Sequence, residues 1–333
     1  MPRHRRLKIE GGIYHVITRG IERKEIFKDD NDRKEFLSRF KTSLKKTKST
    51  CYAWIIMPNH LHLMIRTGLG SLSDVMRSLL TGYAIYFNRR HKRNGYLYQN
   101  RYKSILCQED IYFQELIRYI HLNPIRAKIV PDVVSLDKYQ WCGHSAIVGD
   151  QNNDFQEIDE VLTWFGKKKK EAIHEYREFI KVGMSKETNI DFLGGELIRS
   201  MGGWNNVMRM KRKKEYWRGD ERILGDSEFV SQVLDKAEEA LELKEKLLKA
   251  GWDLTKLIRK VCITLKIEKE DIYRKGRNNI YSEAKALICY LANRRLGISG
   301  AEIARALRIS QPSVSKHIDN GQRLREKRDK LLN

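Results

Sequence analysis

Residues 52–66 read YAWIIMPNHLHLMIR, and this stretch decides the fold of the first part of the chain. Two apolar runs rich in β-branched residues flank a Pro-Asn dipeptide at positions 58–59, and this dipeptide favours a tight turn. The pattern predicts a β-hairpin made of the strands Tyr52–Met57 and His60–Arg66.

The second strand of this hairpin carries two histidines one residue apart. Because side chains alternate between the two faces of a strand, we expect His60 and His62 to lie on the same face. Two imidazoles on one face can hold a divalent metal ion, and a pair of this kind is also compatible with packing or surface roles. The spacing makes the two histidines candidate metal ligands.

Further along the chain, Tyr119 and Asn123 lie four residues apart in a helical pattern and therefore share one face of the helix. A tyrosine that acts as a nucleophile beside a metal ion can cut a phosphodiester of nucleic acid and hold the cut end covalently. Aromatic residues on helices are also common in cores, so the spacing alone leaves both interpretations open.

The hairpin stands within a longer alternation of predicted elements. The first 130 residues are predicted to run strand, helix, strand, strand, helix, strand, helix; outside the hairpin these are Gly12–Thr18, Asp29–Lys46, Ser71–Arg90, Tyr98–Gln108 and Asp110–Asn123. A βαββαβ order gives an antiparallel sheet with helices on one face, the ferredoxin-like arrangement. We therefore expect an α+β fold, with Pro124 ending the last of these helices.

At 333 residues the chain is long enough for two or three domains. Its formal net charge of +22 predicts a polyanionic binding partner, and nucleic acid is the first candidate. The alternative is that the protein is basic and soluble without binding a polyanion. No apolar stretch approaches the length of a membrane span, and no apolar run follows the basic N-terminus, so we expect neither a membrane helix nor a signal peptide. The five scattered cysteines fit a reducing cytoplasm. For a DNA-binding protein of this charge we expect association with the bacterial nucleoid there.

The middle of the chain, residues 147–250, is predicted to be a mainly helical connecting region, with helices at Leu162–Gly183 and Ser227–Lys249. A basic run at Lys211–Lys214 precedes two aromatic residues. Such a combination suits a groove that follows phosphates and stacks bases, and it is equally typical of a solvated charged face.

The C-terminal region, residues 251–333, contains a helix-turn-helix pattern. Small and apolar residues from Ala304 onwards fall where that motif places the contacts between its two helices. The second helix is predicted to begin near Gln311, with Pro312 in its first turn; a purely structural helical hairpin is the alternative. The residues that would then be available to bases and phosphates are Gln311, Ser313, Ser315, Lys316 and His317.

Four segments of the first part of the chain together resemble the single-tyrosine HUH transposases, and more closely their REP-associated branch. The resemblance covers roughly residues 7 to 146 and rests on the order and spacing of GGIYHVITRG at 11–20, WIIMPNHLH at 54–62, QNRYK at 99–103 and YIHLNPIRA at 119–127. It implies a catalytic domain at residues 1–146 with the ferredoxin-like fold.

The resemblance also implies an activity and a set of site residues. Tyr119 would be the nucleophile, forming a 5′-phosphotyrosine with single-stranded DNA that carries a hairpin or palindromic repeat. His60, His62 and Asn123 would hold Mg²⁺ or Mn²⁺; the related insertion-sequence transposases commonly have a Gln at the third place, and Asn123 has a shorter reach. Relatives act as dimers or as monomers, so either state is expected here.

Basic residues near the four segments are expected to contact phosphates, although each is also compatible with an ordinary surface charge. They are Arg19, Arg23, Arg101 and Lys103.

The stretch Val261–Arg323 resembles the C-terminal duplex-binding domain of the bacterial replication initiator DnaA. The initiator's own signature at the second helix is replaced here by Ser310–Ser315. The resemblance therefore implies binding of duplex DNA, without recognition of the initiator's own DNA box.

Three functions remain open from the sequence. The first is a metal-dependent enzyme that nicks and rejoins single-stranded DNA, and it is favoured because Tyr119, His60, His62 and Asn123 are all present. The second is a catalytically inactive, transposase-derived DNA-binding regulator. The third, an RNA-processing nuclease, lacks the aromatic signature of RNA-binding sheets.

Overall fold

The computed structural model describes residues 6–7, 9–68, 70–151, 153–185, 220, 222–274, 276 and 279–324. The basic run Lys211–Lys214 lies outside these residues, as do the two aromatic residues that follow it. The chain divides into two compact units, residues 1–233 and 234–333.

The first unit is built on a five-stranded sheet. In chain order its elements are β1 (Ile13–Arg19), α1 (Asp30–Thr47), β2 (Thr50–Met57), β3 (His60–Arg66), α2 (Leu72–Arg90), β4 (Lys103–Cys107), α3 (Glu109–His121), α4 (Asn123–Arg126), α5 (Val133–Asp137), α6 (Gly143–Ile147), α7 (Ile158–Thr163), α8 (Lys169–Ser185) and β5 (Ile223–Leu224). A further helix, α9 (Ser227–Lys249), follows β5, and its residues from Leu234 onwards belong to the second unit. The expected mixed α+β architecture is confirmed.

The strands lie in the order β2-β3-β1-β4-β5. The first four are antiparallel neighbours, and the expected hairpin is confirmed as the pairing of β2 with β3. The expectation of a wholly antiparallel sheet is wrong at one edge, because β5 pairs parallel with β4. The backbone N–H groups of Leu106 and Gln108 donate to the carbonyl oxygens of Arg222 and Leu224, both at 2.8 Å.

Helices cover both faces of this sheet. On one face, Phe155 contacts the rings of Trp54 on β2 and Phe40 on α1. On the other face, α3 packs its apolar residues, such as Leu116, into one core with β-strand residues such as Ile55. The expectation that helices cover one face only is therefore wrong. Strand β2 is buried along nearly its whole length, so other elements pack against both of its faces.

The last predicted helix of this region is divided in two. It was expected to run to Asn123, but α3 ends at His121 and a separate short helix, α4, begins at Asn123. Pro124 lies in the first turn of α4, where its missing N–H group leaves no hydrogen bond unmade.

The second unit is all helical in its described part. It contains α10 (Leu254–Leu265), a 3₁₀ turn at Lys269–Tyr273, α11 (Ile280–Arg294), α12 (Gly300–Leu307) and α13 (Gln311–Gln322).

Helices α12 and α13 bury their facing residues in the core of this unit. Ile303 and Leu307 on α12 and Val314 and Ile318 on α13 belong to one apolar cluster. Gly321 allows α13 to approach α11 closely, because a Cβ atom there would lie 2.2 Å from a backbone oxygen of α11. In the part of the chain that the structure describes, no helix has both the length and the apolar character needed to cross a bilayer.

Candidate active site between the sheet and α3

The register of the sheet places the two histidines of β3 on the face that α3 covers. His60 is opposite Arg19 of β1, and His62 is opposite Ile17. Directly opposed residues point to the same face, so Arg19 shares that face with the histidine pair. The two imidazole ring centroids lie 5.3 Å apart. The common face expected from the spacing of the two histidines is therefore present.

Helix α3 brings Tyr119 against this pair. The ring centroid of Tyr119 lies 5.8 Å from that of His62, in an edge-on arrangement. The tyrosine is buried, with 8% of its surface exposed. The histidine pair of β3 and the tyrosine of α3, which the sequence indicated separately, therefore lie in one site.

Asn123 lies one helical turn beyond Tyr119, just past the end of α3. Its side-chain amide donates to the carbonyl oxygen of Tyr119 at 2.8 Å and to that of Ile120 at 3.2 Å. These bonds use the amino group to cap α3 and leave the amide oxygen as the ligating atom of the side chain.

A third histidine, His15 of β1, belongs to the site and was not assigned a role from the sequence. Its Nε2 lies 2.9 Å from Nδ1 of His62, and its ring centroid lies 5.7 Å from that of Tyr119. Because Nδ1 of His62 is engaged, Nε2 is the nitrogen of His62 that remains for a ligand. The alternation of β1 puts His15 on the same face as Ile17 and Arg19, but its place beside His62 depends on the register between β1 and β3, for which the sequence carries no signal.

Burial in the site keeps His60 and His62 neutral. Burial, with the charge of nearby Arg19, lowers the pKa of His60 to about 4. Burial also lowers the pKa of His62 well below its usual value, with smaller contributions from His15 and His60. Neutral imidazole is the form that binds metal ions.

The donors available to a metal ion are two imidazoles and an amide oxygen. Among the described residues, no group of three or more His, Cys, Asp or Glu side chains is placed to hold a metal ion. Two imidazole nitrogens and one neutral oxygen nevertheless form a reasonable partial set for a divalent ion whose other positions are taken by water and phosphate.

The family model described as "Transposase IS200 like" matches residues 8–123, a segment that contains His15, His60, His62, Tyr119 and Asn123. Residues 8–123 are therefore similar to the IS200-like transposases and are called the IS200-like segment below. A solved structure described as "Structure of the REP associates tyrosine transposase bound to a REP hairpin" is similar at 15% identity and a TM-score of 0.37, over 47% of this chain and 94% of that chain. No curated protein matches the chain.

In the IS200-like segment, the predicted phosphate contacts lie at one end of the sheet, and two hydrogen bonds to backbone carbonyl groups hold Arg19 and Arg23 there. The backbone N–H of Gln99 donates to the carbonyl of Arg19 at 3.0 Å, and Asn59 in the hairpin turn donates to the carbonyl of Arg23 at 3.0 Å. Lys103 is opposite Ile17 in the sheet register and therefore shares the face of the histidine pair.

Arg23, Arg101 and Lys103 are exposed, whereas Arg19 is half-buried beside His60. The structure therefore places four cations around one end of the IS200-like sheet.

A series of buried hydrogen bonds connects α3 of the IS200-like segment to helices that follow this segment in the chain. The hydroxyl of Tyr176 on α8 lies 2.7 Å from Nδ1 of His121 and 2.8 Å from Nδ1 of His144. Nε2 of His144 lies 2.8 Å from a carboxylate oxygen of Asp137, which also pairs with Arg177. His121 therefore faces away from Tyr119, as expected from its position on the helix.

The predicted DNA contacts of the C-terminal unit differ in how accessible they are. Gln311, Ser315 and Lys316 are exposed on α13. The backbone N–H of Ser313 is capped by Ser310, whose hydroxyl also lies 2.9 Å from that of Ser313. His317 is half-buried, and its Nδ1 has no hydrogen-bond partner among the described residues.

Proposed function

We propose that this chain nicks and rejoins single-stranded DNA, with Tyr119 as the nucleophile. The observation that carries the proposal is the contact of Tyr119 with His62, the neighbour of His60 on the same face, in a segment that matches the IS200-like transposases. The βαββαβ order and the β2-β3-β1-β4 arrangement support a ferredoxin-like platform for this site.

The proposed reaction is a transesterification. The phenolic oxygen of Tyr119 attacks the phosphorus atom and forms an O–P bond, while the bond from phosphorus to the 3′-oxygen breaks. The phenolic proton is lost, and the departing 3′-oxygen takes up a proton. The bond energy is kept in a 5′-phosphotyrosine, so a second 3′-hydroxyl can reverse the step and rejoin DNA.

In the proposed site, His60, His62 and Asn123 would hold a divalent ion, Mg²⁺ or Mn²⁺. Such an ion supplies positive charge that neutralises the scissile phosphate. His15 holds the ring of His62 through their hydrogen bond and thereby keeps its Nε2 available.

The proposed DNA contacts divide between the two units. Single-stranded DNA, with a hairpin or palindromic repeat, would lie along Arg19, Arg23, Arg101 and Lys103. In the second unit we assign α12 and α13 to a helix-turn-helix that binds duplex DNA. The exposed positions of Gln311, Ser315 and Lys316 on α13 support this assignment.

The first test is the formation of a covalent adduct that survives denaturation. The full-length protein is mixed with labelled single-stranded DNA that carries palindromes from beside the gene, with Mg²⁺ or Mn²⁺. We expect an adduct with the wild type and none with Tyr119→Phe. Tyr112→Phe is the matched control, because Tyr112 is a second buried tyrosine of α3.

Other outcomes of the same test would favour the other functions. An adduct with Tyr119→Phe would exclude Tyr119 as the nucleophile. DNA binding without an adduct across metals and substrates would favour the regulator, and cleavage of RNA oligonucleotides would favour the RNA nuclease.

A further inference from the structure

Arg126 lies beside Tyr119 in the candidate site. Its guanidinium carbon lies 5.4 Å from the centroid of the Tyr119 ring. Hydrogen bonds from the N–H of Arg126 to the carbonyl of Leu122, and from Ala127 to Asn123, carry the helical path of α3 into α4. Arg126 follows Tyr119 by two helical turns and Asn123 by one, so all three residues share a face.

The positive charge of Arg126 has no counterion in the part of the chain that the structure describes. Partial burial lowers the pKa of Arg126; nearby Tyr119 raises it and Arg118 lowers it further, and no carboxylate is among these influences. Arg118, in contrast, pairs with Glu115 and lies over the ring of Phe179. A guanidinium remains charged at neutral pH, so Arg126 presents an uncompensated cation beside a candidate nucleophile.

A guanidinium in this position is suited to one class of ligand. Its planar donors match the oxygens of a phosphate and bind them in pairs. Arg19, in contrast, extends from the sheet beside His60. An anion that reaches Tyr119 therefore meets a cation from the sheet and another from α4.

We propose that Arg126 binds the phosphate that Tyr119 attacks and retains it in the 5′-phosphotyrosine. This inference rests on the proposed function and adds a catalytic residue to it. As the new O–P bond forms and the bond to the 3′-oxygen breaks, negative charge grows on the non-bridging oxygens, and Arg126 stabilises that charge. The residue transfers no proton and forms no covalent bond.

The test compares Arg126→Gln and Arg126→Lys with the wild type in the full-length protein. The first measurement is the rate of adduct formation at saturating single-stranded DNA. We expect Arg126→Gln to be slower by about 10²-fold, as for loss of one donor to a developing anion. Arg126→Lys, which keeps the charge and loses the paired donors, is expected to fall between the two.

Lys138→Gln is the matched control. Lys138 is an exposed cation of the same unit, so this variant makes the same change in net charge away from Tyr119. We expect its rate to equal that of the wild type. Thermal melting of each variant reports whether the fold is retained, and Arg126→Lys decides the question if Arg126→Gln does not fold.

A second measurement does not depend on cleavage. In a Tyr119→Phe background, single-stranded DNA affinity is measured against salt with and without Arg126→Gln. Loss of one phosphate contact is expected to reduce the slope of log K against log salt by about 0.7. An unchanged slope, or adduct formation by Arg126→Gln at the wild-type rate, would overturn the role of Arg126. An adduct formed by the single variant Tyr119→Phe would overturn the proposed nucleophile. The salt dependence of DNA binding would still test Arg126 in that case.

Discussion

His15 shows how one hydrogen bond can determine the chemistry of a neighbouring residue. Its Nε2 engages Nδ1 of His62 at 2.9 Å in a fully buried contact. Partners of this kind fix the tautomer and the orientation of a ligating imidazole. We therefore regard His15 as a positioning residue, one that acts on DNA and metal only through His62.

This role predicts a loss of metal affinity when His15 is changed. We expect His15→Phe to weaken Mn²⁺ binding by about 10- to 100-fold, because His62 loses the partner that orients it. His15→Gln keeps a hydrogen-bonding group and should lose less. Isothermal titration of the full-length protein with Mn²⁺ checks the prediction, with exposed His174→Gln as the control. Equal affinities for folded His15→Phe and wild type would contradict it.

At the scale of single residues, sequence spacing was informative only within one element. The common face of His60 and His62 follows from the period of one strand, and that of Tyr119 and Asn123 from the period of one helix. His15 and Arg126 could not be assigned in this way. Their places depend on the register between two strands and on the continuation of the helical path past Pro124.

At the scale of elements, α3 depends on helices that lie beyond the family match. His121 on α3 and His144 on α6 both contact the hydroxyl of Tyr176 on α8. All three side chains are completely buried. Because buried polar groups without partners are costly, this hydroxyl fixes the positions of three helices at once.

Removal of that hydroxyl is predicted to destabilise the fold and to slow the proposed reaction. Tyr176→Phe leaves two buried imidazole nitrogens without a partner, and we expect the free energy of unfolding to fall by about 2 kcal/mol. Adduct formation should slow because α3 carries Tyr119. Chemical denaturation and the adduct assay check this, with Tyr112→Phe as the control. Equal losses of stability and of adduct formation in the two variants would show that the hydrogen bonds of Tyr176 do not hold α3 in place.

The elements themselves were predicted with uneven success, for physical reasons. The hairpin was predicted because its period and its Pro-Asn turn are both local signals. Strand β5 was missed because it has two residues and its pairing partner lies more than a hundred residues earlier. The division between α3 and α4 was missed because Pro124 can start a helix as well as end one.

At the scale of the whole molecule, the charge of +22 is shared by two compact units with separate candidate DNA sites. Duplex binding and adduct formation should therefore respond to different substitutions. We expect Lys316→Ala to weaken duplex binding and to reduce its salt slope by about 1, with adduct formation unchanged. Tyr119→Phe should abolish the adduct and leave duplex affinity unchanged.

Fluorescence anisotropy with duplex DNA and the adduct assay check this pair of outcomes. Lys260→Ala, an exposed cation on α10, controls for the loss of one charge in the same unit. A fall in duplex affinity that is equal for Lys260→Ala and Lys316→Ala would indicate general attraction of DNA to a basic surface, in place of docking through α13.

The pairing of β5 with β4 has a practical consequence for any fragment of this protein. The family match ends at Asn123, and a fragment cut there loses Ile223 and Leu224, the residues that cover the outer edge of β4. The N–H groups of Leu106 and Gln108 would then be open to a strand from another copy. A fragment that is meant to remain dispersed in solution should extend past Leu224.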